Sequence, residues 1–173
     1  MTQKQVYFWT AYKSPVGNHY LLANEGSLMA MSLNDSFDQF REKYAEIADG
    51  EWNEVETHEN PVLSRIANAL DAYFSMRKPF PQDLPINPQG TPFQRKTWEN
   101  MSKIPFGGTI SYGGLAAKVG SPGAARAVGS ACGANPIPII IPCHRVLASS
   151  GGLGGFGGGL DMKRRLLELE GAL

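Results

Sequence analysis

The chain has 173 residues, 42% of them apolar and 18% charged, with 16 basic and 16 acidic side chains. That length and composition suffice for one substantial core or two small ones. The opening MTQKQVYFW holds no long apolar run and no cleavage-site pattern, so no signal peptide is expected. No stretch approaches the roughly 20 apolar residues of a membrane helix, and the expectation is a soluble cytoplasmic protein (nuclear in a eukaryotic cell) with no membrane partner. Cys132 and Cys143 are the only cysteines, and two thiols in an intracellular chain rarely form a structural disulfide. Neither has a zinc-binding spacing, and His19, His58 and His144 are scattered, so no metal site is expected. The neutral total hides an asymmetry. Residues 1–88 hold 7 Lys and Arg against 12 Asp and Glu, whereas residues 89–173 hold 9 against 4. A basic second half is what phosphate binding favours, although two halves of opposite sign can also simply attract each other.

In chain order, the first 33 residues alternate apolar and polar stretches broken at 14–18 and 24–26, which predicts a small antiparallel meander. An amphipathic helix follows, with Phe37, Phe40, Tyr44 and Ile47 on one face. Residues 49–59 are acidic and read as an exposed segment. Asn60-Pro61 reads as a helix cap with proline in the first turn, and Val62, Leu63, Ile66, Leu70, Tyr73 and Phe74 supply that helix's core face. Prolines at 79, 81, 85 and 88 then interrupt regular structure and set a domain boundary near Pro88.

Thr91-Pro92-Phe93-Gln94 matches a capping box, opening a helix that buries Phe93, Trp98 and Met101. Two short helices come next. Ser111 caps one over residues 112–119, ended by Gly120, and Ser121-Pro122 starts another that runs to about Cys132. Two helices joined by a tight glycine-containing turn form a helix-turn-helix. The second is made of small residues (Ala124, Ala125, Ala127, Gly129, Ser130, Ala131 and Gly133) with Arg126 as its one charge. Such a surface suits close packing on a neighbouring helix, and equally a close approach to DNA. Ile137 to Ile141, bracketed by prolines, reads as a short buried strand delivering Cys143 and His144. Seven glycines fill nine positions from Gly151 to Gly159, and a last helix from Asp161 to Glu170 packs through Met162, Leu166 and Leu169.

Cys143 carries the chemistry. A thiol attacks as its thiolate, which nearby cationic or imidazole groups favour. Adjacent residues of an extended chain face opposite ways, so His144 can act on the sulfur through a water, with Glu170 as the group that orients the ring. A Cys-His-Glu relay resembles a hydrolase triad in its chemistry. A lone cysteine after a strand can also be no more than a small buried hydrophobe.

The stretch from Asn135 to Val146, NPIPIIIPCHRV, resembles the active-site signature of the O6-alkylguanine-DNA alkyltransferases, the methylated-DNA–protein-cysteine methyltransferases. The segment TPFQRKTWENMSKIPFGGTISYGGLAAKVGSPGAARAVGSACGANP resembles their DNA-binding segment, and GGFGGGLDMKRRLLELEG their closing loop and helix. The likeness covers nearly all of residues 88–173. Residues 1–87 are similar to the variable N-terminal domain only through the Ser14-Pro15-Val16-Gly17 hairpin and the helix ending Tyr73-Phe74. The resemblance implies an α+β protein, with a small ribonuclease-H-like α/β structural domain over 1–87. The second domain, 88–173, is expected to be mainly helical and winged-helix-like, with the helix-turn-helix, the DNA-binding surface and the alkyl acceptor.

The roles it implies are specific. Cys143 is the alkyl acceptor, His144 its base through a water, and Glu170 the group holding His144. Asn135 fixes the turn beside the site. Tyr112 crowds the 3′ phosphate and offers a proton to the departing guanine, while Arg126 fills the space of the flipped base. Gly113, Ser121 and Ser149 contact the DNA backbone, and Val146, Phe156 and Gly157 line the substrate pocket. The partner expected is double-stranded DNA carrying O6-alkylguanine, bound through the minor groove by a monomer; the sequence leaves activity on O4-alkylthymine open. The product thioether has no route to hydrolysis, so the expected reaction is a single turnover without cofactor. Phe156 stands where the family usually has tyrosine. The zinc of some relatives is not expected, because no cysteine precedes Cys132. Two other classes use the same features, a cysteine hydrolase and a DNA lesion sensor without repair; a transcription regulator would need an effector segment that the sequence does not show.

Overall fold

The computed structural model describes residues 4–173. They form two compact units that divide between Gln89 and Gly90.

In the first unit, strands β1 (Gln5–Ser14), β2 (Gly17–Ala23) and β3 (Leu28–Met31) form the meander that the alternation predicts. The sheet order is β3-β2-β1-β4. Ser14 closes the hairpin: its Oγ accepts from Val16 N–H at 3.1 Å and lies 2.7 Å from His19 Nε2. His19 is fully buried, and its Nδ1–H donates to the Ser32 carbonyl at 2.9 Å. Burial pushes this imidazole below its ordinary pKa, since a charged ring there would lose its hydration.

Helix α1 (Phe37–Tyr44) opens on a full capping box made by Ser36 and Gln39. It buries Phe40 and Tyr44 against Tyr7, Leu22 and Ala30, with Trp9, Tyr20 and Trp52 packed around them. Ile47 does not join that face. The helix ends at Tyr44, and Ile47 is left 39% exposed. Strand β4 (Gly50–Glu54) corrects the reading of residues 49–59 as an exposed acidic segment, because it pairs in parallel with β1. Its polar sequence hides it: Trp52 alone packs inward, held by Nε1–H to Ala48 O at 2.8 Å, while Glu51 and Glu54 are exposed. Charges on an outer strand discourage edge-to-edge pairing. Helix α2 (Pro61–Met76) starts at Asn60, whose side chain accepts from Leu63 N–H, and it packs on β1, β2 and β3. Of its predicted core face, only Phe74 stays half-buried. The proline-rich segment is stitched to this unit, through Leu28 N–H to Pro85 O (2.7 Å) and Asn87 N–H to Leu28 O (2.9 Å).

The second unit begins with α3 (Pro92–Ser102), capped by Thr91 and Gln94 as the sequence predicts. Trp98 and Met101 are buried, but Phe93 is only half-buried. Trp98 Nε1–H reaches the Ala131 carbonyl at 2.8 Å and ties α3 to α5. Helices α4 (Tyr112–Lys118) and α5 (Ala125–Gly133) are the helix-turn-helix, and Ser111 caps α4 through Gly114 N–H. Ser121 does not cap α5. Gly123 takes a left-handed φ of 90°, so 121–124 form a turn closed by Ala124 N–H to Ser121 O, and the helix starts later. Short strands β5 (Ile110–Ser111) and β6 (Val146–Leu147) pair in parallel. Helix α6 (Leu160–Leu169) packs on the turn at 143–145. Its buried stripe is Met162, Lys163, Leu166 and Leu167, with Leu169 only half-buried. Among the described residues, no helix is long and apolar enough to cross a membrane.

Candidate active site

Residues 137–141 do not form the predicted strand. Two prolines and an apolar run build a buried turn instead. Asn135 bridges it, accepting from Ile137 N–H at 3.0 Å and donating Nδ2–H to Ile141 O at 2.8 Å. A backbone bond, Ile141 N–H to Ile137 O at 2.9 Å, closes the same loop. Ile139 sits at its tip with φ 73° and no exposure. That conformation is strained for a β-branched residue, and it is held by burial and by Asn135. The chain leaves the turn through Pro142 into a single 3-10 turn, Cys143–Arg145.

Cys143 is buried, at 8% exposed. Burial pushes its thiol above the ordinary value; Asn135 and the ammonium of Lys163 pull the other way without reversing it. The resting sulfur is therefore a thiol that needs a base. His144, next in the chain, is fully enclosed. Its Nε2 lies 2.7 Å from Glu170 Oε1, and its Nδ1 is a buried side-chain nitrogen without a protein partner among the described residues. Burial lowers the imidazole's pKa, Glu170 raises it, and Arg145 and Lys163 lower it, with burial the largest effect. The ring is thus neutral, donates Nε2–H to the carboxylate and keeps a lone pair on Nδ1.

Glu170 caps the end of α6 and is almost fully buried. Arg145 grips it with a two-point fork, Nε to Oε2 at 2.8 Å and Nη2 to Oε1 at 2.9 Å, and sends Nη1–H to the Ile104 carbonyl at 2.6 Å. Gly107 N–H adds a further bond to Oε2 at 3.2 Å.

Sequence reasoning missed Lys163. This side chain is fully buried and donates to Val146 O at 2.7 Å and Gly155 O at 3.1 Å. It ties the glycine loop to the strand that follows Cys143, and its Nζ lies 5.9 Å from the Tyr112 ring. A lysine on the apolar stripe of α6, between Met162 and Leu166, was the available signal.

The other predicted residues lie around this core. Tyr112 is half-buried at the start of α4, and burial raises its phenol's pKa, so the hydroxyl keeps its proton. Gly154 fits against it only without a side chain: a Cβ there would sit 2.9 Å from the Tyr112 hydroxyl. Val146 is buried, Phe156 half-buried and Gly157 exposed on the glycine loop. Arg126 and Gly113 are exposed on α5 and α4, Ser121 is half-buried in the turn between these helices, and Ser149 is exposed in the turn after β6. The structure joins Cys143, His144, Glu170 and Asn135 through one turn and its hydrogen bonds; Arg126, Gly113, Ser121 and Ser149 stand apart on the surface. Among the described residues, no three His, Cys, Asp or Glu side chains gather as a metal-binding group.

Known proteins share the fold. Residues 7–88 match the ribonuclease-like domain of 6-O-methylguanine DNA methyltransferase, and residues 92–172 match its DNA-binding domain. The chain belongs to this methyltransferase family. A methylated-DNA–protein-cysteine methyltransferase of Haemophilus influenzae is 39% identical over 94% of this chain and 86% of that one. One of Methanosarcina acetivorans is 37% identical over 95% and 99%. Among solved structures, Mycobacterium tuberculosis OGT in complex with DNA superposes with a TM-score of 0.80 at 37% identity, covering 94% of this chain and 92% of that one. The Pyrococcus kodakaraensis O6-methylguanine-DNA methyltransferase gives 0.65 at 25% identity, over 94% and 99%. As in the methyltransferase family, the architecture is α+β in two domains, and the second is the family's DNA-binding domain, which makes DNA the partner.

Proposed function

We propose that this chain repairs DNA by direct reversal, moving the alkyl group of O6-alkylguanine onto Cys143 once per molecule. O4-alkylthymine carries the same kind of alkyl–oxygen bond, and incubation with DNA bearing it tests whether the pocket takes it as well. The observation that carries the reading is the bare, buried Nδ1 of His144, held by Glu170 in the tautomer a base needs. Nδ1 takes the Cys143 proton through a water. The thiolate attacks the alkyl carbon in line; the carbon–sulfur bond forms as the carbon–O6 bond breaks. Tyr112, whose phenol stays protonated, supplies the proton that the departing guanine takes up. A thioether carbon–sulfur bond does not yield to water, because a thiolate is a poor leaving group from an unactivated alkyl carbon, so the sulfur is consumed, and the cycle uses no cofactor.

A base inside a duplex is out of reach, and flipping it costs roughly a few kcal/mol. Arg126, exposed at the start of α5, enters the stack and offsets part of that loss. The small residues of α5 let its backbone approach the minor groove, where architectural proteins widen and kink DNA. Gly113, whose missing Cβ faces open space, contacts the DNA backbone together with Ser121 and Ser149. Val146, Phe156 and Gly157 form the pocket wall. The first unit is a structural support, and the protein acts as a monomer in the cytoplasm, where both cysteines remain thiols.

The test is direct. Incubation with duplex DNA bearing O6-methylguanine is expected to add one methyl group to the intact mass, mapping to Cys143 and saturating at one per chain. Product release beyond one equivalent excludes the single-use mechanism and favours a hydrolase. Tight lesion binding with no mass gain favours a sensor.

A further inference from the structure

The fork of Arg145 on Glu170 does more than join two segments. Besides the Gly107 N–H on Oε2 at 3.2 Å, the carboxylate faces two side-chain donors of different kind. His144 offers Nε2–H at 2.7 Å to Oε1, while Arg145 offers Nε–H to Oε2 and Nη2–H to Oε1. The guanidinium is itself fixed by Ile104 O at 2.6 Å and lies 5.9 Å from the Phe106 ring centre. All three side chains are buried. A buried carboxylate without a permanent cation tends to take up a proton, whereas one gripped by a guanidinium does not.

We infer that Arg145 is a positioning residue that keeps Nδ1 of His144 free of a proton by holding Glu170 as a carboxylate. This rests on the reading of His144 as the base for Cys143. With Arg145 present, the Arg145–Glu170 pair is neutral and the imidazole carries one proton, on Nε2. Without the guanidinium, the Glu170–His144 pair binds one more proton from solvent. Because Oε2 faces the Gly107 N–H donor at 3.2 Å, a proton on that oxygen is disfavoured, and two arrangements remain: imidazolium beside carboxylate, or carboxyl donating from Oε1 to Nε2 with the ring proton moved to Nδ1. Both place hydrogen on Nδ1, and the ring can then no longer accept from Cys143. The other charged group acting on the ring is Lys163. It does not stand in for Arg145, because its ammonium is held by Val146 O and Gly155 O and not by Glu170.

The experiment reads the tautomer directly. Nitrogen NMR of histidine-labelled protein, without DNA, is expected to show His144 Nδ1 bare at pH 7 in the natural chain and protonated in Arg145→Met. The rate of Cys143 alkylation by a small electrophile is expected to fall on the order of 10²-fold at pH 7, the worth of a general base. That deficit shrinks as pH rises and the extra proton leaves. Arg145→Lys, which keeps the charge and loses the fork, keeps Nδ1 bare. Where Arg145→Met does not fold, Arg145→Gln serves in its place, and Arg145→Lys still tests the charge argument. A bare Nδ1 in a folded neutral variant, a faster Cys143 at pH 7, or a deficit that does not change with pH would overturn the role. None of these readouts needs alkylated DNA, so a chain that failed to repair the lesion would leave this result standing on its own.

Discussion

Arg126 and Cys143 differ in exposure, and shortening each should fail in a different way. Cys143→Ala removes the nucleophile and leaves in place the backbone bonds that close the turn, Ile141 N–H to Ile137 O and Arg145 N–H to Pro142 O. It is expected to abolish methyl transfer while binding to alkylated duplex stays within about twofold; a binding loss comparable to the loss of transfer would mean that the sulfur also shapes the surface. Arg126→Ala leaves the chemistry intact and removes the side chain proposed to fill the stack. Repair of duplex should slow about tenfold to a hundredfold, the equivalent of a few kcal/mol of stacking. Reaction with a free O6-alkylguanine base should barely change. Equal losses on both substrates would sink the base-flipping role.

The turn that carries Cys143 is the element the sequence describes least well. The run of isoleucines between prolines has the composition of a strand, but Asn135 bonds to both ends of it and folds it back. Asn135→Ala strands a buried N–H and a buried C=O, and should cost about 2–4 kcal/mol in denaturant unfolding. A variant with an unchanged midpoint would show that the turn is held by packing alone. Strand β4 escaped for the opposite reason, since five residues with one aromatic among acids and asparagine carry no alternation. Helices α2, α3 and α4 were legible because their caps are written in adjacent residues: Asn60-Pro61, Thr91 with Gln94, and Ser111. At the site, Cys143, His144 and Glu170 were readable from residue type and resemblance. Lys163 and the fork of Arg145 were not, because a basic side chain reads as solvated until its burial is seen.

At the scale of the whole molecule, each unit buries a neutral histidine, His19 in the first and His144 in the second. Both have folded-state pKa values below the ordinary 6.5. The unfolded chain then binds more protons than the folded one as pH drops below that value, so stability is lost on acidification. Each histidine contributes at most about 1.4 kcal/mol per pH unit in that window. On the alkaline side the sign reverses. Cys132 is pushed up to about 12 and Cys143 also upward, both by burial. The unfolded chain releases these protons first, and stability falls once pH passes the ordinary thiol range. Urea unfolding should therefore be most difficult between about pH 7 and 8. His19→Gln should flatten the acid limb of the transition reported by Trp9 and Trp52, and leave that of Trp98 unchanged. An acid limb equally steep in the variant would assign the proton uptake elsewhere.

Ile139 brings time into the picture. A β-branched residue disfavours φ near 73°, at a cost of about 1–3 kcal/mol, and only the closed core around it offsets that. A nascent or half-folded chain has no such core, so it relaxes the turn and leaves Cys143 without a paired histidine. The conservative Ile139→Val change should accordingly quicken unfolding and leave the refolding rate nearly untouched, a pattern that stopped-flow chevrons resolve. The histidine-assisted thiol exists only once that core has closed, and in a chain still folding Cys143 is an ordinary exposed thiol with no base at its side.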